Sequence, residues 1–162
     1  MGVACDSPNQ LQTQAIGGGS PPAGKTTSDR RLEVVTMNIN SWTSFRDRWR
    51  AEGEPAELSS TTLLYLQEHH LRHRDQCADA TDFCMQRGWH AVFAPAAVQS
   101  SGRSSGGVAI LARRRDDIGI TNPGLDAGEH SHRLLGLRVH LGGLDPFIAV
   151  AVYLQAGVGL NA

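Results

Sequence analysis

The sequence has very little lysine and no excess of charge of either sign. Lys25 is its single lysine, so arginine supplies nearly all of the 15 basic side chains, and 16 acidic side chains balance them. A chain so close to neutral has no overall field that would draw it to nucleic acid or to an anionic membrane. Any basic patch must therefore be local.

Paired cysteines and long apolar runs are also lacking. Cys5, Cys77 and Cys84 are an odd number without C-x-x-C spacing, which indicates neither a disulfide framework nor a cysteine-rich zinc site. No run approaches the ~18 apolar residues of a membrane-spanning helix, and residues 1–15 lack the basic-then-apolar layout of a secretory signal. We expect an intracellular protein, nuclear or cytoplasmic, in a reducing compartment.

The segment Gly19–Thr26, GSPPAGKT, matches the phosphate-loop pattern G-x-x-x-x-G-K-[ST]. The pattern requires a buried strand before it and a helix after it, whereas here the preceding residues are polar and a strand follows. Pro21 and Pro22 also remove two backbone N–H donors from the loop. We therefore expect no nucleotide at this segment, a disordered Gly/Pro/Ser-rich tail over residues 1–30, and one domain over residues 31–162.

The domain alternates strand-like and helix-like segments. The apolar and β-branched composition of strands is found at residues 32–40, 61–68, 89–94, 108–112, 132–141 and 147–154, the last two separated by a hairpin-like GGLDP. We expect one helix over residues 45–53, capped by Ser44 and stopped by Gly53, and a second over residues 75–87, ended by Gly88. This order predicts a layered α/β or α+β domain.

Polar side chains stand where three of these strands end. Asn38 closes the first strand, Glu68 closes the second, and Tyr153 lies near the end of the last. In layered α/β domains, loops at one end of the sheets gather side chains that are distant in sequence. A carboxylate in such a place can hold Mg²⁺, which prefers oxygen ligands.

Five blocks carry a resemblance to a known family: VVTMNINSW, LLYLQEHHL, SSGGVAILAR, HRLLGLRV and IAVAVYLQAG. In this order and at these intervals, over about residues 32–160, they resemble the first half of the endonuclease/exonuclease/phosphatase superfamily. The apurinic-site endonucleases and the endonuclease domains of non-LTR retrotransposons are the most similar by pattern. The resemblance implies a four-layer αββα sandwich, here truncated.

The resemblance also implies roles for particular residues. Asn38 matches an asparagine that positions the phosphate and a catalytic aspartate, Glu68 matches the metal-binding glutamate, and Tyr153 matches a tyrosine that contacts the scissile phosphate. His70 and Arg133 match further residues expected at the substrate phosphate. Members of the superfamily hydrolyse phosphodiesters or phosphomonoesters with Mg²⁺ or Mn²⁺, and we expect DNA as the substrate here.

The sequence departs from the family pattern in its later part. The GDFN and SDH blocks, which supply the water-activating aspartate and histidine, have no counterpart before Ala162, and Ala156 takes the place of a polar asparagine. We expect a truncated or decayed, retroelement-derived chain that is weakly active or inactive alone. The alternatives are a non-catalytic remnant that binds nucleic acid or another partner, and a non-functional product with exposed strand edges.

Three other segments allow a functional and an ordinary interpretation. The histidines within residues 69–73 have spacings that would suit zinc on a helix, but they lack the H-E-x-x-H order, and we expect a polar loop. The arginines at 113–115 stand beside acidic residues 116–117, and we expect a solvated strand end rather than a grip on nucleic acid. Residues 100–107 form either a flexible connector, which we favour, or a mobile loop with Arg103 at phosphate.

Overall fold

The computed structural model describes residues 32–98, 102, 104–121 and 132–154. The segment Gly19–Thr26, the expected tail, Arg103 and Ala156 lie outside the described residues. The helices are α1 (Trp42–Glu52) and α2 (Arg74–Met85), with a single 3-10 turn at Ala56–Leu58. The strands are β1 (Val34–Asn38), β2 (Leu63–Gln67), β3 (Trp89–Ala94), β4 (Ala97–Val98), β5 (Ser104–Ser105), β6 (Val108–Arg113), β7 (Ile118–Thr121), β8 (Leu134–Leu141) and β9 (Phe147–Val152).

The first sheet has the strand order β1-β2-β6-β3. β1 runs parallel to β2, while β6 pairs antiparallel with both β2 and β3. The connection from β1 to β2 passes through α1, as a parallel pair requires. The register places Asn38 opposite Gln67 and Gln67 opposite Val108, so the carboxyl ends of β1 and β2 lie beside the amino end of β6.

The second sheet has the order β7-β8-β9 and is antiparallel throughout. The hairpin between β8 and β9 confirms the turn predicted at GGLDP, with Gly143 at φ 82°. β7 was not predicted, because the four residues Ile118–Thr121 contain a glycine and follow a charged run. A separate two-residue ladder joins β4 to β5.

One apolar cluster lies between the helices and the first sheet. Aromatic rings dominate it, and Trp42 contacts Phe45, Phe83 and Phe93 at ring-centroid distances of 5.8, 5.6 and 5.2 Å. The ring pairs with Phe83 and Phe93 are edge-to-face, a favourable aromatic geometry. The helices therefore cover one face of the first sheet.

A second apolar cluster lies between the two sheets. Leu63, Val108 and Ile110 from the first sheet are fully buried there. They pack against side chains of the second sheet, namely Ile118, Leu137, Val139, Ala149 and Ala151. β2 and β6 are consequently covered on both faces, which explains their continuous apolar runs. The described residues form a mixed α/β fold in which helices, first sheet and second sheet are successive layers.

The first helix begins earlier than predicted. It starts at Trp42 with Ser41 at the N-cap position, not at Phe45 with Ser44 as the cap. Tertiary contacts explain the earlier start. The Trp42 ring is buried, and the backbone N–H of Trp42 donates a 3.0 Å hydrogen bond to the carbonyl of His69. The stop at Gly53 is confirmed, since this residue adopts φ 83°, a conformation that favours glycine.

The second helix, α2, carries both of the cysteines that the structure describes. Cys77 and Cys84 are free and buried against the aromatic cluster. Burial raises the pKa of the Cys84 thiol to about 12, which keeps it protonated and unreactive at neutral pH. Over the described residues, no helix has the length and apolarity needed to cross a membrane.

Candidate functional site

Strand ends from both sheets meet at one end of the molecule. The amide of Gln67, at the end of β2, donates a 3.1 Å hydrogen bond to the carbonyl of Val152, at the end of β9. Close by, the N–H of Gly107 donates to the carbonyl of His132, and the N–H of Tyr153 donates to the carbonyl of Arg133. These bonds tie the loops after β2 and β9 to the loops before β6 and β8.

Glu68 and Tyr153 are in direct contact at this end. The phenol of Tyr153 donates a 2.7 Å hydrogen bond to Oε1 of Glu68, although the two residues are 85 positions apart. This bond is the main reason that the pKa of Tyr153 lies above its ordinary value, and burial and the nearby carboxylate charge add to the effect. Two of the predicted site residues are therefore joined.

Arg133 completes this group from the amino end of β8. Its carbonyl accepts the 2.8 Å hydrogen bond from the Tyr153 N–H. Its positive charge acts on the same phenol, where it lowers the pKa of Tyr153 in opposition to Glu68. The structure thus joins a carboxylate and a phenol directly and brings a guanidinium within electrostatic reach of the phenol, each from a different strand end.

Asn38 lies at the same end of the first sheet, one strand away. It pairs in register with Gln67, the residue before Glu68. Its side-chain Oδ1 accepts a 3.1 Å hydrogen bond from the N–H of Asn40, which has φ 53°. The exposed Asn38 side chain therefore shapes the turn after β1, the ordinary role of asparagine at such a position.

The turn after β2 has an unusual backbone. Glu68 and His70 adopt φ 57° and φ 60°, left-handed values that cost side-chain-bearing residues roughly 1–2 kcal/mol each. His70 is half-buried and lies in the same turn as Glu68. Strained backbone of this kind persists only where surrounding contacts hold it.

Residues 69–73 form a loop, as predicted, but His69 within it is buried rather than solvated. Its side chain is only 1% exposed, and Nε2 lies 3.1 Å from the carbonyl oxygen of Ala94 and 3.3 Å from that of Val108. Nδ1 accepts a 3.1 Å hydrogen bond from the N–H of Leu71. Burial lowers the pKa of His69 to about 4, so the ring is neutral.

Gly106 and Gly107 correct the expectation of a flexible connector. Both are buried, and a Cβ on Gly107 would lie 2.6 Å from Cε1 of His69. A Cβ on Gly106 would approach the carbonyl of His132 to 3.1 Å and the Tyr153 ring to 3.4 Å. The glycine pair therefore lets backbone pass close to the site, and a Gly-Gly doublet directly before a buried strand is the sequence signal for it.

Arg113 is the exception in the arginine run, whereas Arg114 and Arg115 are exposed as expected. It is bound to Glu54 at 2.9 Å and donates to the carbonyls of Leu58 and Thr61. Its guanidinium also lies 3.9 Å from the centre of the Trp89 ring. Arg113 therefore joins the first sheet to the segment after α1, and it is engaged inside the protein rather than solvated.

The donor set at the site suits a hard cation better than zinc. Within the described ranges, no three His, Cys, Asp or Glu side chains converge on one point. Both ring nitrogens of His69 are engaged in the hydrogen bonds described above, which removes it from a zinc site. A single carboxylate such as Glu68 fits Mg²⁺ or Mn²⁺, because Mg²⁺ keeps several waters and is commonly held by one or two carboxylates together with substrate phosphates.

No protein family model matches the sequence, and no curated protein sequence matches it. The geometry of the site and the sequence blocks described above are therefore the only indications of its function.

Proposed function

We propose that this chain carries the metal and phosphate part of a phosphodiester hydrolase of the endonuclease/exonuclease/phosphatase type. DNA is the substrate class, and Mg²⁺ or Mn²⁺ is the cofactor. The observation that carries the proposal is the hydrogen bond between Tyr153 and Glu68. The sequence blocks predicted these two residues for one site, and this contact supports that prediction independently of the family pattern.

The exposed face of the second sheet supports the finer architecture. Ile148, Val150 and Val152 point away from the first sheet and are 43%, 44% and 44% exposed. An apolar row of this kind on one face of a sheet calls for a covering layer. In a four-layer αββα sandwich, helices would cover this face, and we propose that architecture for the complete domain.

Each residue of the site has a distinct task in this proposal. Glu68 holds the cation, and Tyr153 fixes the orientation of its carboxylate through the 2.7 Å bond. Arg133 supplies positive charge beside the phenol, where an anionic phosphate would bind. Asn38 and His70 border the same end of the sheets. The bound cation would stabilise the negative charge that develops on the phosphate.

The water-activating groups of such enzymes are not contained in these 162 residues. The sequence has no GDFN block and no SDH block. A general base typically contributes ~10²–10⁴-fold to a hydrolysis rate. We therefore expect cation binding without efficient cleavage by this chain alone.

Calorimetric titration with Mn²⁺ tests the proposal. The wild-type chain should bind Mn²⁺, and Glu68→Gln should abolish the binding because the amide removes the negative charge. Glu52→Gln, the same change at an exposed helix residue, is the matched control and should bind as the wild type does. Equal Mn²⁺ affinity in the wild type and Glu68→Gln would contradict the proposal.

A nicking assay on supercoiled DNA tests the expected activity. Little or no nicking with Mg²⁺ is expected, and clear turnover that disappears in Glu68→Gln would show that this chain contains a complete active site. Salt-sensitive DNA binding that is unchanged in Glu68→Gln and accompanied by no cleavage would favour the non-catalytic binding alternative.

A further inference from the structure

The turn that carries Glu68 is built around a buried histidine. Glu68 and His70 both have left-handed backbone, with φ 57° and 60°, and His69 between them is 1% exposed. Non-glycine residues keep such conformations only when their surroundings determine them strongly. The contacts of His69 are therefore candidates for the interactions that hold the backbone of Glu68.

The imidazole of His69 has a hydrogen-bond partner on each side. The Leu71 N–H can only donate, so Nδ1 is the acceptor at 3.1 Å and the proton resides on Nε2. Nε2–H then points at the carbonyls of Ala94 and Val108, at 3.1 and 3.3 Å. One ring thus connects the turn after β2 to the end of β3 and the start of β6.

Close packing also confines the His69 ring. The Phe93 ring meets it edge-to-face at a centroid distance of 5.3 Å. The Gly107 backbone lies so close that a Cβ there would be 2.6 Å from Cε1 and 2.8 Å from Nδ1. The carbonyl of His69 also accepts the Trp42 N–H at 3.0 Å, which ties the turn to the start of α1.

We propose that His69 is a positioning residue that holds the Glu68 carboxylate in place for cation binding. The inference rests on the proposed function and extends it to a residue that neither contacts a substrate nor provides a ligand. With the ring bound to three strand or turn segments, the backbone at residue 68 cannot relax to an ordinary conformation. The carboxylate is then presented to Tyr153, which bonds it at 2.7 Å.

Two amide substitutions test the roles of the two ring nitrogens of His69 one at a time. His69→Gln places an amide N–H near the position of Nε2 and can still reach the carbonyls of Ala94 and Val108. His69→Asn is one methylene shorter and can replace only Nδ1, so the link to β3 and β6 is lost. Leu58→Ala is the control for destabilisation alone, because Leu58 is fully buried in the apolar cluster between the helices and the first sheet.

Two readouts are measured on the full chain: Mn²⁺ affinity by calorimetry, and NMR shifts of the backbone at Glu68 and His70 and of Cζ in Tyr153. His69→Asn should lower Mn²⁺ affinity by about tenfold or more, the usual effect of removing a group that orients a metal ligand. It should also shift the NMR signals of all three residues. His69→Gln and Leu58→Ala should resemble the wild type in both readouts.

Several outcomes would overturn the inference. A folded His69→Asn chain with wild-type Mn²⁺ affinity and shifts would do so. A His69→Asn chain that no longer unfolds cooperatively would also do so, because the ring would then serve the whole fold rather than Glu68. If the wild type binds no Mn²⁺, the proposed function fails, while the NMR shifts still decide whether His69 holds the turn.

Discussion

The hydroxyl of Tyr153 donates a 2.7 Å hydrogen bond to Oε1 of Glu68, joining the ends of two strands that belong to different sheets. The contact depends on the pairing of β8 with β9 and on the amide of Gln67, which holds β9 to β2. A carboxylate that accepts a bond from a neutral phenol stabilises the protonated form of that phenol. The pair is therefore both a geometric and an electrostatic unit.

The first prediction concerns the titration of Tyr153. Its pKa lies above the ordinary value, chiefly because of the bond to Glu68, so Glu68→Gln should lower it. The sequence has 2 tyrosines, and Tyr65→Phe provides a background in which tyrosinate absorbance reports Tyr153 alone. An unchanged titration curve after Glu68→Gln would show that the bond does not form in solution.

The second prediction is a loss of stability in acid that depends on His69. Its pKa is about 4 in the folded chain, below the ordinary value of about 6.5, so the unfolded chain takes up the proton first. The stabilising contribution is present above about pH 6.5 and is lost as pH falls towards 4. Urea unfolding should show about 2 kcal/mol more loss between about pH 7.5 and about pH 5 than in His69→Gln, which cannot titrate.

Equal pH dependence in the wild type and His69→Gln would contradict this prediction. The other histidines of the chain are the same in both proteins, so the difference between the two curves isolates His69. The comparison requires that both proteins unfold cooperatively at each pH, and circular dichroism at the same urea concentrations checks this.

The third prediction concerns Gly107, where an added methyl group would collide with the His69 ring. The Cβ of Gly107→Ala would lie 2.6 Å from Cε1, and the residue also has φ 86°. Gly88→Ala is the matched control, since Gly88 has φ 79° but nothing within 4 Å of its Cβ position. The control should cost roughly 1–2 kcal/mol from backbone strain alone.

Gly107→Ala should cost at least about 2 kcal/mol more than the control, because overpacking at a rigid buried site adds to the strain. Urea unfolding of both variants measures the difference. Equal losses would mean that the His69 ring can move aside, which would also weaken the argument that it holds the turn.

The hydrophobic patterns predicted the main strands well, because the apolar residues of a strand show directly in the sequence that the strand is buried. The apolar composition of residues 61–68 predicted a strand, and β2 at Leu63–Gln67 confirms it, with side chains in both clusters. Polar residues at strand ends also predicted that Asn38, Glu68 and Tyr153 lie at one end of the sheets, where the structure places them. These are local properties, and a sequence displays them directly.

The surroundings of His69 could not be predicted in the same way. Its partners Ala94 and Val108 lie 25 and 39 positions further along the chain, and both offer backbone carbonyls that any residue would supply. Arg113 is a similar case, because Glu54 is 59 positions away. A polar residue in a charged or polar run gives no sign that tertiary folding will bury it.

The fourth prediction is that Arg113 contributes to stability while its neighbour does not. Arg113→Met keeps an apolar stem over Trp89 but removes the guanidinium from Glu54 and from the carbonyls of Leu58 and Thr61. Glu54 keeps the indole N–H of Trp89, and the Leu58 carbonyl keeps the N–H of Thr61. Hydrogen bonds to charged groups are worth about 1.5–3 kcal/mol, and a loss in this range is expected. Arg114→Met, at an exposed position, should change the free energy of unfolding by less than about 0.5 kcal/mol.

Thermal and urea unfolding of the two variants check this prediction. A similarly small loss of stability in both variants would mean that Arg113 behaves as a solvated strand-end residue. A large loss of stability in Arg114→Met would mean instead that positive charge in this segment stabilises the fold in general. The exposure of Arg114 does not explain such a role.

The last prediction concerns the outer edge of β9. The Tyr153 N–H bonds to the carbonyl of Arg133, just before β8, so by alternation the backbone groups of Ile148, Val150 and Val152 point away from β8. Of these groups, the Val152 carbonyl accepts the side-chain amide of Gln67. Among the described strands none pairs with this edge, and residues 147–152 contain no charged side chain. Such an edge favours association with other strands, and we expect the wild-type chain to self-associate as its concentration rises.

Val150→Lys should reduce that association while changing the free energy of unfolding by less than about 0.5 kcal/mol, because the Val150 side chain is 44% exposed. A lysine on an edge strand must lose its hydration if a second strand pairs beside it. Ser60→Lys, also at an exposed position, adds the same charge outside β9. Light scattering over a concentration series separates the two, and equal effects of both lysines would assign the change to net charge rather than to β9.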